Sequence, residues 1–428
     1  MINKRVLIIS NNPLSDTNSN GRTLKNFFEV GDKEKLAQFF IISQWPDFDA
    51  CGSFFCVTDR GVMRSFFKRK AVGRVIVKRD YEERNQEKKE ELPSKKQTKK
   101  RKKIQKTPLS MLARNFLWNR KKWRGNFYKW VDEFNPEVVF FQAGDSPFLY
   151  DLSVNVAKKY NVPLVIYNSE DYYFKDYNYL EEGGFAGICY PIFRKKLKKA
   201  TQKALDYASL SIYISEDLKN TYDKEFNKNS TAIYTSTEVE PCFEKSNEPV
   251  FSYLGNLGLD RHIGLIKIAN ALGEINPEYK LDVYGNASED VKGAFEECSF
   301  INYKGFISYD EVQKTIKNSM LVFHTESFDE FYSKDICHGF STKIADSLAS
   351  GTCFVLFAPE HLSCSKYIRE KDCGVFIGDE AQLKDKLREV IESEEKRNYY
   401  IERAIRVVQE NHSAEKNRKR FSEIINNL

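Results

Sequence analysis

Continuous apolar runs and stretches of helical period alternate along most of this 428-residue chain. Residues 5–10 (Arg-Val-Leu-Ile-Ile-Ser) are apolar without alternation, the pattern of a parallel strand covered on both faces. A polar loop, 11–21, follows, and then a helix from about Arg22. Strands are expected at 36–43 and 54–57. After residue 107 the pattern predicts a strand over 135–142, a helix over 147–160 and a strand over 162–167. A helix over 191–206, a strand over 208–214, a helix over 216–227 and a strand over 231–234 come next. Residues 240–250, with Pro241 and Pro249, read as a linker. A second series then places strands at 251–255, 280–285, 300–303, 320–325, 352–357 and 374–377, with helices between them. Residues 380–428 are helical with a break near 411–413. Such strand–helix alternation builds parallel sheets with helices on both faces. The expected class is α/β: two doubly wound, Rossmann-like domains, 1–240 and 251–395. The linker 241–250 joins them, and helices over 396–428 pack back on the first.

The stretch His338–Gly351 (His-Gly-Phe-Ser-Thr-Lys-Ile-Ala-Asp-Ser-Leu-Ala-Ser-Gly) sits between two of those strands. Ile344, Ala345, Leu348 and Ala349 recur at i, i+1, i+4 and i+5, one buried stripe of a helix. Ser341 and Thr342 stand where an N-cap belongs, and Gly351 stands just past the end. The N-terminus of that helix, with its free N–H groups, two hydroxyls and Lys343, suits a phosphate; it equally suits an ordinary capped helix. Acids at the carboxyl ends of first-domain strands, Asp145, Glu170 and Asp171, lie where open α/β sheets place their ligands. The loop after the first strand, with Asn20 and Gly21, has no G-x-G-x-x-G, so it argues for a site rather than for a dinucleotide.

Charge changes this picture in one place. The net charge is +6, yet residues 60–125 hold 24 Lys/Arg against 6 Asp/Glu, a local +18 that leaves the remainder at −12. Within 92–125 there are 13 basic residues and no acid. This segment reads as an insertion, charged and poor in apolar residues between Asp80 and Lys106. Residues 108–124 then resume helical period with Leu, Phe, Trp and basic side chains, either to lie on an anionic membrane or to pack on the domain. No apolar run approaches the ~18–20 residues of a membrane span. The first residues run straight into a strand, with no signal-peptide pattern. The expected location is cytoplasmic, possible attachment to the inner face of the membrane included. Nine cysteines without C-x-x-C spacing read as reduced thiols, and five histidines form no metal-ligand pattern.

The register of His338–Gly351 resembles the signature E-G-F-G-x-x-x-x-E-A-M-A-x-G of GT-B glycosyltransferases of the family 4 kind. Gly339, Phe340, Ala349 and Gly351 match it, while His338 and Asp346 replace its two glutamates. Tyr253–Arg261 is similar to that family's phosphate-binding turn, and Val283–Asn286 to its second strand end. The likeness spans about 120 residues, Tyr253–Gly374. It implies a GT-B fold, two domains facing a central cleft, and a retaining transfer of sugar from a nucleotide-diphosphate donor to an acceptor hydroxyl without a metal or other cofactor. Arg261, Ser341, Thr342 and Lys343 are then the diphosphate residues, His338 and Asp346 the donor-sugar and ribose residues, and Gly255, Tyr284 and Gly285 the nucleotide residues. Asp145, Glu170 and Asp171 become candidate catalytic or acceptor-orienting acids, with Asn20 and Gly21 in the acceptor loop. The expected partners are a nucleotide-diphosphate sugar, a glycan or lipid-linked acceptor, and an anionic membrane surface met by 60–125; no specific nucleic acid is expected. Loss of both glutamates leaves open a non-catalytic sugar-nucleotide binder. The basic run leaves open a nucleic-acid-binding protein, and Asp47-Phe48-Asp49 fits the Asp-x-Asp of metal-dependent GT-A enzymes.

Overall fold

The computed structural model describes the chain except for residues 16–18, 30, 69–71, 80, 83–105, 181–184 and 245–248. Expectations for the basic block that fall on 83–105 lie outside the described residues. The chain divides into two compact units, Met1–Ile233 with Arg418–Leu428, and Tyr234–Asn417. The divisions fall after Ile233 and Asn417, whereas the sequence placed boundaries at 240 and 396. Of the terminal helices, residues 396–417 group with the second unit and 418–428 with the first.

In the first unit, eight strands form one sheet: β1 (Val6–Ser10), β2 (Leu36–Phe40), β3 (Ser53–Cys56), β4 (Arg74–Ile76), β5 (Val138–Gln142), β6 (Leu164–Asn168), β7 (Leu210–Tyr213) and β8 (Ser230–Ala232). Their spatial order is β4-β3-β2-β1-β5-β6-β7-β8. Every pair is parallel except β3 and β4. All residues of β1, β2, β5 and β6 are buried, which is why these runs show no alternation. The C-terminal segment closes this core: Phe421 sits 4.8 Å from Phe27 and 5.2 Å from Phe28 between ring centroids.

Two sequence expectations are corrected here. Asn20 and Gly21 are not in a loop, because the helix begins at Ser19 and runs to Phe28. Thr23, Leu24, Phe27 and Phe28 are buried, so the helical stripe starts one turn earlier than its polar first residues suggest. Nor is the start of the basic segment an appended insertion. The helix Asp59–Lys68 and strand β4 belong to the sheet layer, with Val62, Ser65 and Ile76 buried. The helix Pro108–Trp118 is likewise packed. Thr107 caps it, Met111 and Trp118 are buried, and Trp118 stacks on Phe148 at 4.5 Å.

The second unit carries β9 (Phe251–Leu254), β10 (Leu281–Tyr284), β11 (Ile301–Gly305), β12 (Leu321–Thr325), β13 (Cys353–Phe357) and β14 (Val375–Ile377). They form a wholly parallel sheet in the order β11-β10-β9-β12-β13-β14. This is the doubly wound order whose direction reverses between the first and fourth strands, here β9 and β12. The corresponding reversal in the first unit falls between β1 and β5. Both reversals open a crevice at the strands' carboxyl ends, and they set where each unit's site is sought. All nine cysteines are free. Burial raises the thiol pKa of Cys51, Cys353, Cys364 and Cys373 to about 12, so these are inert core groups.

Candidate functional site

The crevice between β9 and β12 is bridged by an ion pair. Helix Arg261–Ile275 starts just after the β9 turn, and Glu326 follows the last residue of β12. Arg261 donates from Nη2 and Nε to Oε2 of Glu326 at 2.6 and 2.7 Å. The other carboxylate oxygen, Oε1, lies 3.0 Å from Nε2 of His324. The Glu326 side chain is buried, at 7% exposure, and that of Arg261 nearly so, at 11%. Burial alone would raise the Glu326 carboxyl. Its hydrogen bonds to His324 and Arg261 and the charge of Arg261 outweigh that, and it stays below its ordinary value. Burial lowers His324, which is therefore neutral at pH 7.

Lys343 belongs to the same group. It is the second residue of helix Thr342–Ala349, whose N-cap is Ser341. The residue as a whole keeps contact with solvent. Protein around its ammonium, together with the charge of Arg261, still lowers its pKa to about 8, with Glu326 opposing. The Ser341 hydroxyl makes no cap bond, so it is not spent on the helix's own first turn. The helix buries Ile344, Ala345, Leu348 and Ala349, as its spacing predicts. Its approach loop is anchored through Phe340, which stacks on buried His412 at 5.9 Å and meets Tyr367 edge-on at 5.1 Å. His412 is fixed by hydrogen bonds to the Thr235 carbonyl at 2.7 Å and to the Tyr367 hydroxyl at 2.9 Å. The expected break near 411–413 is a wide helical turn, Val408–His412, and it supplies this anchor.

The remaining expected donor residues are placed as follows. Gly255 and Gly285 end β9 and β10 side by side, and Gly255 N–H donates to the Tyr284 carbonyl at 2.9 Å. Gly285 has φ +153°, and a Cβ there would stand 2.2 Å from the Gly255 carbonyl oxygen. Gly285→Ala is therefore expected to destabilise the protein by more than about 1 kcal/mol, read as a lower midpoint in chemical denaturation. Gly351 is equally constrained, with φ +75° and a Cβ position 2.6 Å from the Cys242 carbonyl oxygen. His338 is half-buried in the loop before Ser341. Asp346 is held within its own unit: Thr237 donates to Oδ1 at 2.6 Å and Tyr309 to Oδ2 at 3.2 Å.

In the first unit the acids gather around an aromatic loop after β6. Asp145 is buried past the end of β5, 2.7 Å from Lys106 Nζ, and Ser146 Oγ donates to it at 3.3 Å. Glu170 is exposed and accepts from the Tyr172 hydroxyl at 2.5 Å. Burial raises the Tyr172 phenol, and the charges of Glu170 and Asp145 raise it further, so both acids act on one hydroxyl. Asp171 differs from both. It is buried and accepts from Tyr173 N, Phe174 N and the Tyr222 hydroxyl at 2.9, 3.0 and 3.0 Å. That carboxylate shapes the loop. Tyr167 OH, Asn168 Nδ2 and Tyr179 OH are buried with no hydrogen-bond partner among the described residues. Asn20 is exposed and Gly21 buried, both in the first helical turn. The Asp47–Asp49 pattern is a turn: Asp47 binds Lys25 at 2.7 Å and accepts from Asp49 N at 3.0 Å.

The sequence did not single out Glu326, His324, Thr237, Tyr309, Lys106 or Tyr172 as site residues. A usable signal existed for Glu326, since an acid at a strand's carboxyl end had already been used to pick Asp145 and Glu170. Thr237 and Tyr309 carried none, because their role depends on tertiary approach to Asp346.

Comparison with known proteins follows from this geometry. Residues 237–407 match the family described as glycosyl transferases group 1. No match is found among curated proteins. Among solved structures, Alr3699/HepE of Anabaena in complex with UDP aligns at a TM-score of 0.65 and 12% identity, over 99% of this chain and 100% of that one. Sucrose-phosphate synthase of Thermosynechococcus elongatus aligns at 0.61 and 9% identity, over 98% of each chain. WaaG, a glycosyltransferase involved in lipopolysaccharide biosynthesis, aligns at 0.57 and 11% identity, over 98% of this chain and 99% of that one. These likenesses establish the fold, which is that of the GT-B glycosyltransferases.

Proposed function

We propose, from the premise that this chain is a glycosyltransferase with a group 1 domain over residues 237–407 and the GT-B fold, that it moves a sugar from a nucleotide-diphosphate donor to an acceptor hydroxyl. The observation that carries the reading is the placement of Lys343 and the open Ser341 hydroxyl at a helix N-terminus, beside Arg261, at the β9/β12 reversal. As the bond between sugar and phosphate breaks, negative charge grows on the departing diphosphate. Lys343, Ser341, Thr342, Arg261 and the helix N–H groups stabilise that charge without a metal. Solved structures of Alr3699/HepE contain UDP and UDP-glucose, which favours a uridine nucleotide as the first donor to test. Gly255, Tyr284 and Gly285 hold the nucleotide, and Asp346 and His338 meet the ribose and the sugar. Configuration is retained. In the first unit, Asp145 and Glu170 hold the acceptor hydroxyl, and the unpaired Asn168 and Tyr179 polar atoms favour a polyhydroxylated acceptor there. The product belongs to cell-surface polysaccharide or glycoconjugate synthesis, made by a cytoplasmic enzyme that attaches peripherally to membrane.

One observation favours a second reading. Both signature glutamates are absent, and both Asp346 oxygens already accept hydrogen bonds. A non-catalytic sugar-nucleotide binder has this form. A panel of uridine-, guanosine- and adenosine-diphosphate sugars, scored for melting temperature and for hydrolysis with and without EDTA, separates the readings. The transferase reading expects at least one sugar nucleotide both to stabilise and to be turned over, with EDTA without effect. Stabilisation without turnover under any acceptor favours the binder, and no stabilisation by any donor overturns both.

A further inference from the structure

Three helices of the first unit lie side by side, with Pro108–Trp118 packed against both Asp59–Lys68 and Ala186–Tyr207. Their inner faces are core. Their outer faces expose large apolar side chains in unusual number: Met63, Phe66 and Phe67 on the first, Leu109 and Phe116 on the second, and Ile188 and Ile192 on the third, with Phe185 just before it. Phe67 is 74% exposed, Phe185 73% and Ile188 66%. On the third helix the stripe Ile188–Ile192 continues along the same outer ridge into Lys195 and Lys199, both exposed. Arg60 and Arg64 flank the apolar residues of the first helix, and Arg120, exposed just beyond the second, lies over the Phe116 ring at 4.3 Å.

The charge of these three helices is predominantly positive. The three helices contain two acids, Asp59 and Asp206. Asp59 is paired with Arg114 at 2.8 Å and Asp206 with Lys228 at 3.2 Å. An apolar face bordered by cations, with no unpaired acid on its helices, matches the boundary of an anionic bilayer: apolar tips enter the acyl region while lysine and arginine heads remain among the lipid phosphates. Among the described residues no helix is long and apolar enough to cross a membrane.

We infer that the outer face of these three helices is a docking surface for an anionic lipid bilayer, centred on Phe67, Phe116 and Ile188 and ringed by Arg60, Arg64, Lys195 and Lys199. The inference deepens the proposed function, resting on it for the lipid-linked acceptor that such docking serves. It also moves the contact away from the basic block alone, since the helix Ala186–Tyr207 lies outside residues 60–125.

The test is vesicle flotation of the full chain, with phosphatidylcholine vesicles and with mixed phosphatidylcholine–phosphatidylglycerol vesicles. Met111 and Trp118 are core, so deletion of 60–125 would damage the fold; exposed residues are substituted instead. The wild type is expected to float with the mixed vesicles and far less with the neutral ones. The triple variant Phe67→Ser, Phe116→Ser, Ile188→Ser is expected to lose binding at least tenfold. The double variant Lys195→Gln, Lys199→Gln is expected to lose roughly 25-fold, about fivefold for each charge. Nucleoside diphosphate affinity should be unchanged in both, and Lys343→Ala should float like the wild type. No flotation of the wild type, equal flotation on both vesicles, or flotation untouched by the triple variant would overturn the inference while leaving the donor site intact. Light scattering supplies the remaining outcome: if the triple variant turns a dimer into a monomer without changing flotation, the face binds a second copy and the lipid assignment fails. Normal flotation with no nucleotide binding would instead sink the transferase reading alone.

Discussion

Glu326→Ala is expected to destabilise the second unit by about 3–5 kcal/mol, the cost of leaving a buried cation without its partner. Arg261 places two nitrogens on one oxygen of this carboxylate, and His324 uses the other. Removing the carboxylate strands the Arg261 guanidinium in a poorly hydrated crevice beside the Lys343 ammonium, whose pKa both burial and Arg261 already depress. Glu326→Gln keeps the shape and gives up the charge, so its loss should be smaller. Denaturant midpoints of the full chain check the order. A nucleoside diphosphate should restore part of the stability of the alanine variant, because it brings its own negative charge to Arg261. The pH dependence has a definite sign. Glu326 is lowered in the folded state, so its contribution is present above the ordinary carboxylate pKa of 4.5 and is lost as pH falls through the folded value. His324 is also lowered, and its neutral burial costs stability as pH falls below the ordinary histidine value of 6.5. Acid should therefore weaken this unit from about pH 6.5 downward, where the unfolded chain takes up the histidine proton first. An alanine variant as stable as the wild type would show that Arg261 is solvated rather than held.

Lys343→Ala should weaken nucleoside diphosphate binding by about tenfold to a hundredfold, the range for one charge-assisted hydrogen bond to phosphate. The fold should change little, since Lys343 stands on the open side of its helix while the buried stripe is carried by Ile344, Ala345, Leu348 and Ala349. The lysine also gives binding a pH signature. With its pKa at about 8, the free protein begins to lose this charge at a modestly alkaline pH, and a bound anion pulls the proton back. Affinity is thus fully present below about pH 8 and falls above it, by at most tenfold per pH unit, with proton uptake on binding. The variant should show neither the fall nor the uptake.

The two sheets were legible because their central parallel strands are covered on both faces and read as unbroken apolar runs. The core of helix Thr342–Ala349 was legible because four small or branched apolar residues keep helical spacing. Strand β4 was not, because three residues on a sheet edge, two of them exposed, carry no pattern against a strongly basic background. Asn20 and Gly21 were read as loop because polar residues and a glycine in a first helical turn look the same as a turn. In the site, the diphosphate side could be approached from the motif register. Its electrostatic partner Glu326 follows the last residue of β12, a strand-end position the sequence does show, but its pairing with Arg261 across the crevice is tertiary information. Asp171 has the strand-end position of an active acid, and two backbone N–H groups and Tyr222 all donate to its Oδ1. A carboxylate's role depends on who already binds it, and that is tertiary information.

The central claim is that the helix N-terminus at Lys343 receives the donor's diphosphate, and calorimetric titration of UDP into the full wild-type chain and into Lys343→Ala at pH 7 and pH 9 tests it most directly. The placement predicts binding by the wild type that weakens between the two pH values, and a variant about tenfold to a hundredfold weaker at pH 7 with no such dependence. Equal affinity of the two proteins at both pH values, with their melting temperatures alike, would contradict it.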